Sequence, residues 1–381
     1  MLKMTDQSLH IGIIGGSLGG LVTGIALQEA GHHVSIYEKS KGELEDRGAG
    51  IVLQDELINF FNKYHIASIK DISVPIFKRT YINKEGNKIY EQDVIQLMTA
   101  WGTIYHRLQK RFPKEHYYYE HKLKSFYQDK GRVTVEFENG KNENFDLLIG
   151  ADGTNSTVRN ELFPEIHHVY AGYVGWRGVV PEAELDSRVL REFQDRFTFY
   201  NMDHSHILCY LIPGNQDEVS VGNRRLNWVW YWNVKPGEEI DSLLTDINGN
   251  LRNSFVPEGY VRPQFIDQQT AIAEMVLPPI FQSLWTATKN PFLQPINDLS
   301  VKKMYQGRVA LVGDSAFTPR PHTAASTAKA VSNGISLAHF LKINGNDIEA
   351  ALRQWEEPQL SLGNYLYKRG VTLGDQSQFG Y

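Results

Sequence analysis

The chain has 381 residues, enough for two domains or for one large domain with a second lobe. Its 41% apolar and 22% charged residues are ordinary for a globular protein, and its net charge of −5 argues against a nucleic-acid partner. A single cysteine, Cys209, excludes an internal disulfide framework and a cysteine-rich metal site.

No apolar run approaches the ~18 residues of a membrane-spanning helix, so integral membrane association is not expected. The N-terminus carries no pattern of a signal peptide, and we expect a cytoplasmic protein. No H-E-x-x-H motif or cluster of histidine and carboxylate occurs, which predicts no metal centre.

A strand, a glycine-rich turn and a helix open the chain. Residues 11–14 form a short apolar run, the turn follows at once, and residues 33–38 predict a second strand. Such a βαβ unit binds a dinucleotide, because glycines let the backbone approach a pyrophosphate and the helix offers unpaired N–H groups. Ser17 replaces the middle glycine of the G-x-G-x-x-G fingerprint. The predicted contacts are Gly15, Gly16, Ser17 and Gly20 for the pyrophosphate, and Glu38 with Lys39 for the adenosine end.

Further along, residues 132–137 and 144–150 predict two strands joined by a turn at Asn139-Gly140. Asp152 and Gly153 follow the second strand, and Arg159 lies in the helix predicted after them. These three residues are candidate cofactor contacts. An Asp-Gly pair at a strand end is nevertheless common in α/β proteins.

The middle of the chain shows alternating strands in place of βαβ units. A polar turn at residues 203–205 predicts a hairpin, and residues 226–234 alternate tryptophans on one face with Val229 and Tyr231 on the other. We expect a mixed or antiparallel sheet that covers the substrate. Tyr210 and Trp230 are candidate substrate contacts, with packing inside the sheet as the alternative.

A third apolar strand, residues 307–313, ends at Gly313 and Asp314, where open α/β sheets bind their ligands. A proline-rich turn and a long helix follow. The small residues at the start of the helix would admit a flat ligand close to exposed N–H groups. These residues are Ala324, Ala325, Ser326 and Thr327.

The proline-rich turn carries Pro321 and His322, which are candidate substrate contacts. His322 is also the candidate catalytic base, because an unperturbed pKa of ~6.5 would let it deprotonate a ring hydroxyl. The alternative is a structural hydrogen bond within the turn.

Together, the three glycine-containing motifs resemble those of the FAD-dependent aromatic hydroxylases, the class of p-hydroxybenzoate hydroxylase. Residues 170–178, 231–234 and 319–325 resemble the pyridine-hydroxylase branch of that class, in which Ser17 belongs to the pattern. The resemblance implies that the first motif holds the ADP part of FAD, that Asp152-Gly153 serves FAD and NAD(P)H, and that Gly313-Asp314 holds the ribityl chain.

The resemblance adds three further contacts. Arg47 and Gly50 would lie in a loop that packs against the flavin, and Arg107 would reach FAD from a helix. The alternatives are a flexible glycine loop and an arginine on a solvated helix face.

The expected fold is α/β, with a Rossmann-like FAD-binding domain and an inserted mixed β-sheet substrate domain. The FAD domain would comprise residues 1–76, 100–169 and 288–345, the substrate domain residues 77–99 and 170–287, and a C-terminal helical segment residues 346–381.

The expected activity is hydroxylation of an activated aromatic ring, such as a hydroxypyridine, by an FAD-dependent monooxygenase that uses NADH or NADPH and O2. Another ring (urate, indole, a polyketide) and a non-catalytic FAD- or NAD-binding regulator are the alternatives. A homodimer is left open.

Overall fold

Three β-sheets and ten α-helices organise the part of the chain that this computed structural model describes, residues 8–44, 50–129, 131–345 and 347–380. The strands are β1 (His10–Ile14), β2 (His33–Tyr37), β3 (Gly50–Val52), β4 (Val74–Ile82), β5 (Lys88–Ala100), β6 (Tyr117–Tyr118), β7 (Leu123–Asp129), β8 (Arg132–Phe137), β9 (Asn142–Phe145), β10 (Leu147–Gly150), β11 (Val169–Pro181), β12 (Arg196–Met202), β13 (Ser205–Ile212), β14 (Arg225–Asn233), β15 (Phe292–Ser300), β16 (Tyr305–Gln306), β17 (Val309–Leu311) and β18 (Phe317–Thr318). The helices are α1 (Leu18–Glu29), α2 (Asp55–Lys63), α3 (Trp101–Arg111), α4 (Thr157–Leu162), α5 (Ser187–Phe193), α6 (Glu238–Leu244), α7 (Pro263–Val276), α8 (Pro279–Ala287), α9 (Ser326–Ile343) and α10 (Ile348–Phe379).

The six-stranded sheet has the order β16-β17-β10-β1-β2-β6. Its members β17, β10, β1, β2 and β6 run parallel, and β16 pairs antiparallel with β17. The apolar runs of β1 and β10 are buried, as a sheet covered on both faces requires. This arrangement confirms the predicted Rossmann-like unit.

One predicted strand was wrong in its extent. Residues 144–150 divide at Asp146 into β9, which pairs with β8 in a three-stranded sheet, and β10, which joins the parallel sheet. The carboxylate of Asp146 accepts a hydrogen bond from the His10 backbone N–H at 2.8 Å, which anchors the crossing point beside β1.

The nine-stranded sheet has the order β18-β15-β11-β14-β13-β12-β4-β5-β3. β12 and β4 run parallel while the other neighbours are antiparallel, so the sheet is mixed, as predicted. It also takes in β3, β15 and β18, which come from segments assigned above to the FAD domain. The division into domains therefore stays a prediction.

The central strands of this sheet have two different faces. Trp176, Trp230 and Ile207 lie opposite one another across β11, β14 and β13, and their face packs against Trp285 of α8. The opposite face, called the polar face below, carries Tyr173, Arg177, His206, Tyr210 and Tyr231. Neighbouring residues alternate between the faces, as in any pleated strand.

Helix α10 forms the predicted C-terminal helical segment. A Cβ on Gly363 would come within 2.3 Å of the Phe317 ring, and one on Gly374 within 2.5 Å of the Tyr173 hydroxyl. Glycine at these positions therefore lets α10 lie directly against the polar face and β18. Of the helices described, none combines the length and the apolar character that crossing a bilayer requires.

Candidate active site

A cavity of about 510 Å³ opens at the carboxyl ends of β1, β10 and β17 and is called the cofactor cavity below. Open parallel sheets bind ligands at this edge. Among the predicted cofactor contacts, those that line it are Gly15, Ser17, Glu38, Lys39, Gly50, Asp152, Gly153, Gly313, Asp314, Ser326 and Thr327.

The first glycine turn has no room for side chains. Gly15 has a φ of +106°, and a Cβ there would lie 2.4 Å from the Ala151 carbonyl oxygen. A Cβ on Gly20 would lie 1.9 Å from the Gly15 carbonyl oxygen. Gly16 and Gly20 do not line the cavity; they allow the tight path that brings Gly15 and Ser17 to its wall.

Glu38 is buried at the end of β2, beside the exposed Lys39. Its Oε2 accepts from the backbone N–H of Gly16 at 2.9 Å, and its Oε1 accepts from the backbone N–H and the hydroxyl of Ser40 at 2.9 and 2.8 Å. These bonds fix the carboxylate at the cavity wall, where it is available to a ribose hydroxyl.

Asp152 holds the start of α4. Its Oδ1 accepts from the Ser156 hydroxyl at 2.5 Å, and its Oδ2 accepts from the backbone N–H groups of Thr157 and Val158 at 2.7 and 3.2 Å. Burial raises the pKa of this carboxyl, and the three hydrogen bonds partly offset that effect. Asp152 therefore shapes the cavity by capping a helix.

Asp314 is held by the first turn of α9. Its Oδ1 accepts from the Ser326 hydroxyl at 2.5 Å and from the ammonium group of Lys329 at 2.8 Å. Lys329 also donates to the Phe317 carbonyl oxygen and is buried, so burial lowers its pKa while Asp314 opposes the shift. The carboxylate itself is partly exposed and lines the cavity.

The cavity fits an anionic dinucleotide. The N-termini of α1 and α9 both reach its wall, and neither helix has a capping side chain or an acidic residue in its first turn. The unpaired N–H groups and positive dipole ends of two helices thus face one space that also contains the Glu38 and Asp314 carboxylates. A group with phosphates, ribose hydroxyls and a ribityl chain matches these donors and acceptors.

Besides Gly16 and Gly20, four predicted contacts among the described residues lie outside the lining of the cavity. Arg107 pairs with Asp217 at 2.9 Å, and buried Arg159 donates to the Ser315 carbonyl oxygen at 3.2 Å. Ala324 adopts a left-handed conformation with φ +51°, and Ala325 is the N-cap of α9. Arg47 lies outside the described residues.

His322 faces the polar face of the nine-stranded sheet. Its Nε2 is 2.8 Å from the Tyr173 hydroxyl, and its ring centroid lies 4.6 Å from that of Tyr231 and 5.3 Å from that of His206. Burial, followed by the nearby His206, Arg320 and Arg177, lowers the pKa of His322 well below 6.5. The expectation of an unperturbed pKa is therefore wrong, and His322 is neutral at physiological pH.

Arg320, two residues before His322, is firmly paired. Its guanidinium donates to Asp298 at 2.7–3.1 Å and to Asp375 at 2.7 Å. It thereby ties the His322 turn to β15 and α10. Pro321 begins the 3-10 turn Pro321–Thr323 and, like His322, does not line the cofactor cavity.

Tyr210 connects the polar face to the cofactor cavity. A Cβ on Gly50, which lines the cavity, would lie 2.5 Å from the Tyr210 ring, and the Gly50 N–H donates to Asn227 Oδ1 at 3.0 Å. Gln294 of β15, opposite Gly175 in the register, also lines the cavity. The polar face therefore continues into the cavity wall.

Trp230 lies elsewhere. Its side chain is buried on the tryptophan face, where its indole N–H donates to the Ser205 hydroxyl at 2.9 Å. Its neighbour Tyr231 is the residue that meets His322, because successive side chains point to opposite faces. The alternation in residues 226–234 showed both faces, but not which of them faces the cofactor.

Sequence reasoning missed several residues of the site. Tyr173, His206 and Tyr231 surround His322, and Lys329 holds Asp314. Their positions depend on pairing between distant strands. Of these four residues, only Lys329 offered a local signal, because it is a lysine in the first turn of a helix that begins with small residues.

A doubly covered parallel sheet with a dinucleotide cavity, joined to a mixed sheet with a polar aromatic face, defines an FAD-binding oxidoreductase. A family model for an FAD-binding-like domain matches residues 170–298. The chain is 34% identical to the 2,6-dihydroxypyridine 3-monooxygenase of Paenarthrobacter nicotinovorans over 99% of its length and 94% of the relative's. It is 25% identical to the 6-hydroxynicotinate 3-monooxygenase of Pseudomonas fluorescens over 92% of its length and 87% of the relative's.

Solved structures of other proteins have a similar fold. The 2,6-dihydroxypyridine-3-hydroxylase from Arthrobacter nicotinovorans superposes with a TM-score of 0.93 over 98% of this chain and 94% of that one, at 34% identity. Klebsiella pneumoniae HpxO, complexed with FAD and uric acid, shares the fold with a TM-score of 0.81 at 19% identity, over 100% of this chain and 91% of that one. The chain belongs to the family of FAD-dependent aromatic hydroxylases and is an FAD-dependent monooxygenase that uses NAD(P)H, O2 and an aromatic substrate.

Proposed function

We propose that the protein hydroxylates a hydroxypyridine-like ring held between the cofactor and the polar face. The observation that carries this proposal is the 34% identity to a 2,6-dihydroxypyridine 3-monooxygenase over nearly the whole of both chains. The polar face supports it, because Tyr173, Arg177, Tyr231 and His322 offer flat surfaces and hydrogen-bonding groups to a small ring with several polar atoms.

The cavity-lining residues would hold FAD. The N-terminus of α1 and Ser17 would face the pyrophosphate, Glu38 the adenosine ribose, and Asp314 the ribityl chain. When bound, FAD supplies electron transfer from NAD(P)H to O2 and delivery of one oxygen atom to the ring. The protein contributes position and exclusion of water.

His322 would orient the ring hydroxyl of the substrate. Its Nε2 is engaged with Tyr173, whose pKa is raised mainly by burial, so the phenol keeps its proton. Nδ1 of His322 has no hydrogen-bond partner among the described residues and is the ring atom left for a substrate. His322 is half-buried, and a neutral imidazole whose pKa is lowered is a weak base, so its role is a hydrogen bond at a fixed position more than proton removal.

The test uses FAD-loaded protein with NADH or NADPH under 18O2. 2,6-Dihydroxypyridine should stimulate NAD(P)H oxidation and yield a product heavier by one 18O atom, measured by mass spectrometry. Urate and indole, the other rings considered, serve as comparison substrates. Stoichiometric hydroxylation of urate or indole, but of no pyridine, would refute the substrate assignment.

We also propose a cytoplasmic location and a homodimer. The location is supported by the need for NAD(P)H and by Cys209, which is free and buried. The homodimer would use the apolar side chains of Phe77 and Ile95, which are exposed on β4 and β5. Light scattering of Ile95→Lys beside the unchanged protein tests the second proposal.

A further inference from the structure

Arg177 occupies the centre of the polar face. It lies opposite Val229 of β14, and Val229 lies opposite Leu208 of β13. A Cβ on Gly175, the next residue on the same face, would lie 3.7 Å from Arg177 Nε. The same Cβ would lie 3.6 Å from the Tyr231 ring, so the Arg177 side chain and the Tyr231 ring both lie beside Gly175.

The charge of Arg177 is unbalanced. No carboxylate of the described residues lies within 4.0 Å of it, and its Nε is buried without a hydrogen-bond partner. Arg320, the other arginine near His322, has two carboxylate partners. Arg177 as a whole is half-buried. A guanidinium N–H that is buried without an acceptor is unfavourable, and a ligand that supplies an anionic oxygen removes that cost.

The surrounding groups cannot supply the counter-charge. Burial raises the pKa of Tyr210 and Tyr231, so both phenols stay protonated although Arg177 opposes the shift. His322 and His206 are neutral or positive at every pH. The five residues of the polar face thus include one cation, Arg177, and no carboxylate.

We propose that Arg177 is a specificity-determining residue that binds an ionised ring hydroxyl of the substrate, so that the enzyme selects anionic over neutral ring compounds. This inference rests on the proposed function, since it takes the ligand to be a hydroxylated heteroaromatic ring. The ring loses its proton to solvent before or during binding. Arg177 then pairs with the resulting oxygen, and His322 is not required as the base.

Binding to FAD-loaded protein, followed through the flavin absorbance spectrum, tests the inference without turnover. The two probes are 2,6-dihydroxypyridine, which ionises, and 2,6-dimethoxypyridine, which has the same ring and cannot. The variants are Arg177→Gln, Arg177→Lys and, as a matched control, Arg188→Gln, whose side chain is largely exposed on α5. FAD content and Tm establish that each variant is folded.

Arg177→Gln should weaken binding of 2,6-dihydroxypyridine by 10- to 100-fold and change that of 2,6-dimethoxypyridine less than twofold. Arg177→Lys should retain most of the preference, and Arg188→Gln should behave as the unchanged protein. Equal losses for both probes would overturn the inference and leave the proposed function standing. If the unchanged protein binds neither probe, the proposed substrate class fails and the inference fails with it.

Discussion

The hydroxyl of Tyr173 and Nε2 of His322 lie 2.8 Å apart, although 149 residues separate them in the chain. Tyr173 belongs to β11 and His322 to the turn before α9, so the bond joins the nine-stranded sheet to the cofactor side of the molecule. Phe379, at the end of α10, packs edge-on against the same tyrosine. Three distant segments therefore fix the position of one imidazole.

Tyr173→Phe should lower kcat by about tenfold, equivalent to ~1.4 kcal/mol, because His322 loses the bond that orients it. Steady-state kinetics of the FAD-loaded enzyme provide the measurement. Tyr170→Phe is the matched control, since Tyr170 on the same strand donates to the Val234 carbonyl oxygen at 3.0 Å without touching His322. Equal effects of the two substitutions would contradict a specific role for the Tyr173 bond.

Lys329→Met should weaken FAD binding by at least tenfold, or about 1.4 kcal/mol. Without the ammonium group, the Asp314 carboxylate loses its counter-charge at the cavity wall and repels the cofactor phosphates. Titration of the apoprotein with FAD measures the effect. Lys342→Met, at an exposed position on the same helix, should bind FAD normally; unchanged affinity in Lys329→Met would show that Asp314 needs no partner.

Gly20→Ala should destabilise the protein by roughly 1–3 kcal/mol and abolish FAD binding, since the new Cβ would meet the Gly15 carbonyl oxygen at 1.9 Å. The clash is with a backbone oxygen, which cannot rotate away as the end of a flexible side chain can, so the backbone of the turn must move. Gly102→Ala, whose Cβ would have no neighbour closer than 3.9 Å, is the control. Urea unfolding with and without FAD should separate the two variants, and indistinguishable curves would refute the expectation.

Stability should fall as the pH drops from about 6.5 to about 4. Burial lowers the pKa of His206 from 6.5 to about 4, so in that window the unfolded chain binds a proton that the folded chain does not. The full contribution, reached below pH 4, is roughly 3 kcal/mol. Nearby His322, with its pKa also lowered, adds a loss of the same sign.

His206→Gln should reduce this acid sensitivity, because it removes the titrating ring and leaves a polar group for Ser377, whose hydroxyl lies 2.6 Å from His206 Nδ1. The free energy of unfolding, measured in urea between pH 7.5 and pH 4.5, gives the slope. His116→Gln, outside the core, is the control. Parallel pH profiles for His206→Gln and the unchanged protein would rule out His206 as a source.

The sequence by itself determined the parallel sheet and the residues at its carboxyl edge. Gly15, Glu38, Asp152 and Asp314 each stand at the end of an apolar run, and strand ends of one parallel sheet meet at one edge. The local pattern is sufficient there, since the positions of these residues at the cavity follow directly from where each strand ends. The hairpin at residues 203–205 and the helix α10 were likewise predicted from local signals.

Only the tertiary structure decided the other half of the site. Whether Trp230 or Tyr231 meets His322 depends on which face of β14 turns to the cofactor, and alternation alone is symmetric between the two faces. The pKa of His322 is lowered by burial under β11, β13 and α10. The sequence around His322 does not show which elements pack against it. The isolation of Arg177 also required the fold, because a missing carboxylate partner is a property of everything packed around it.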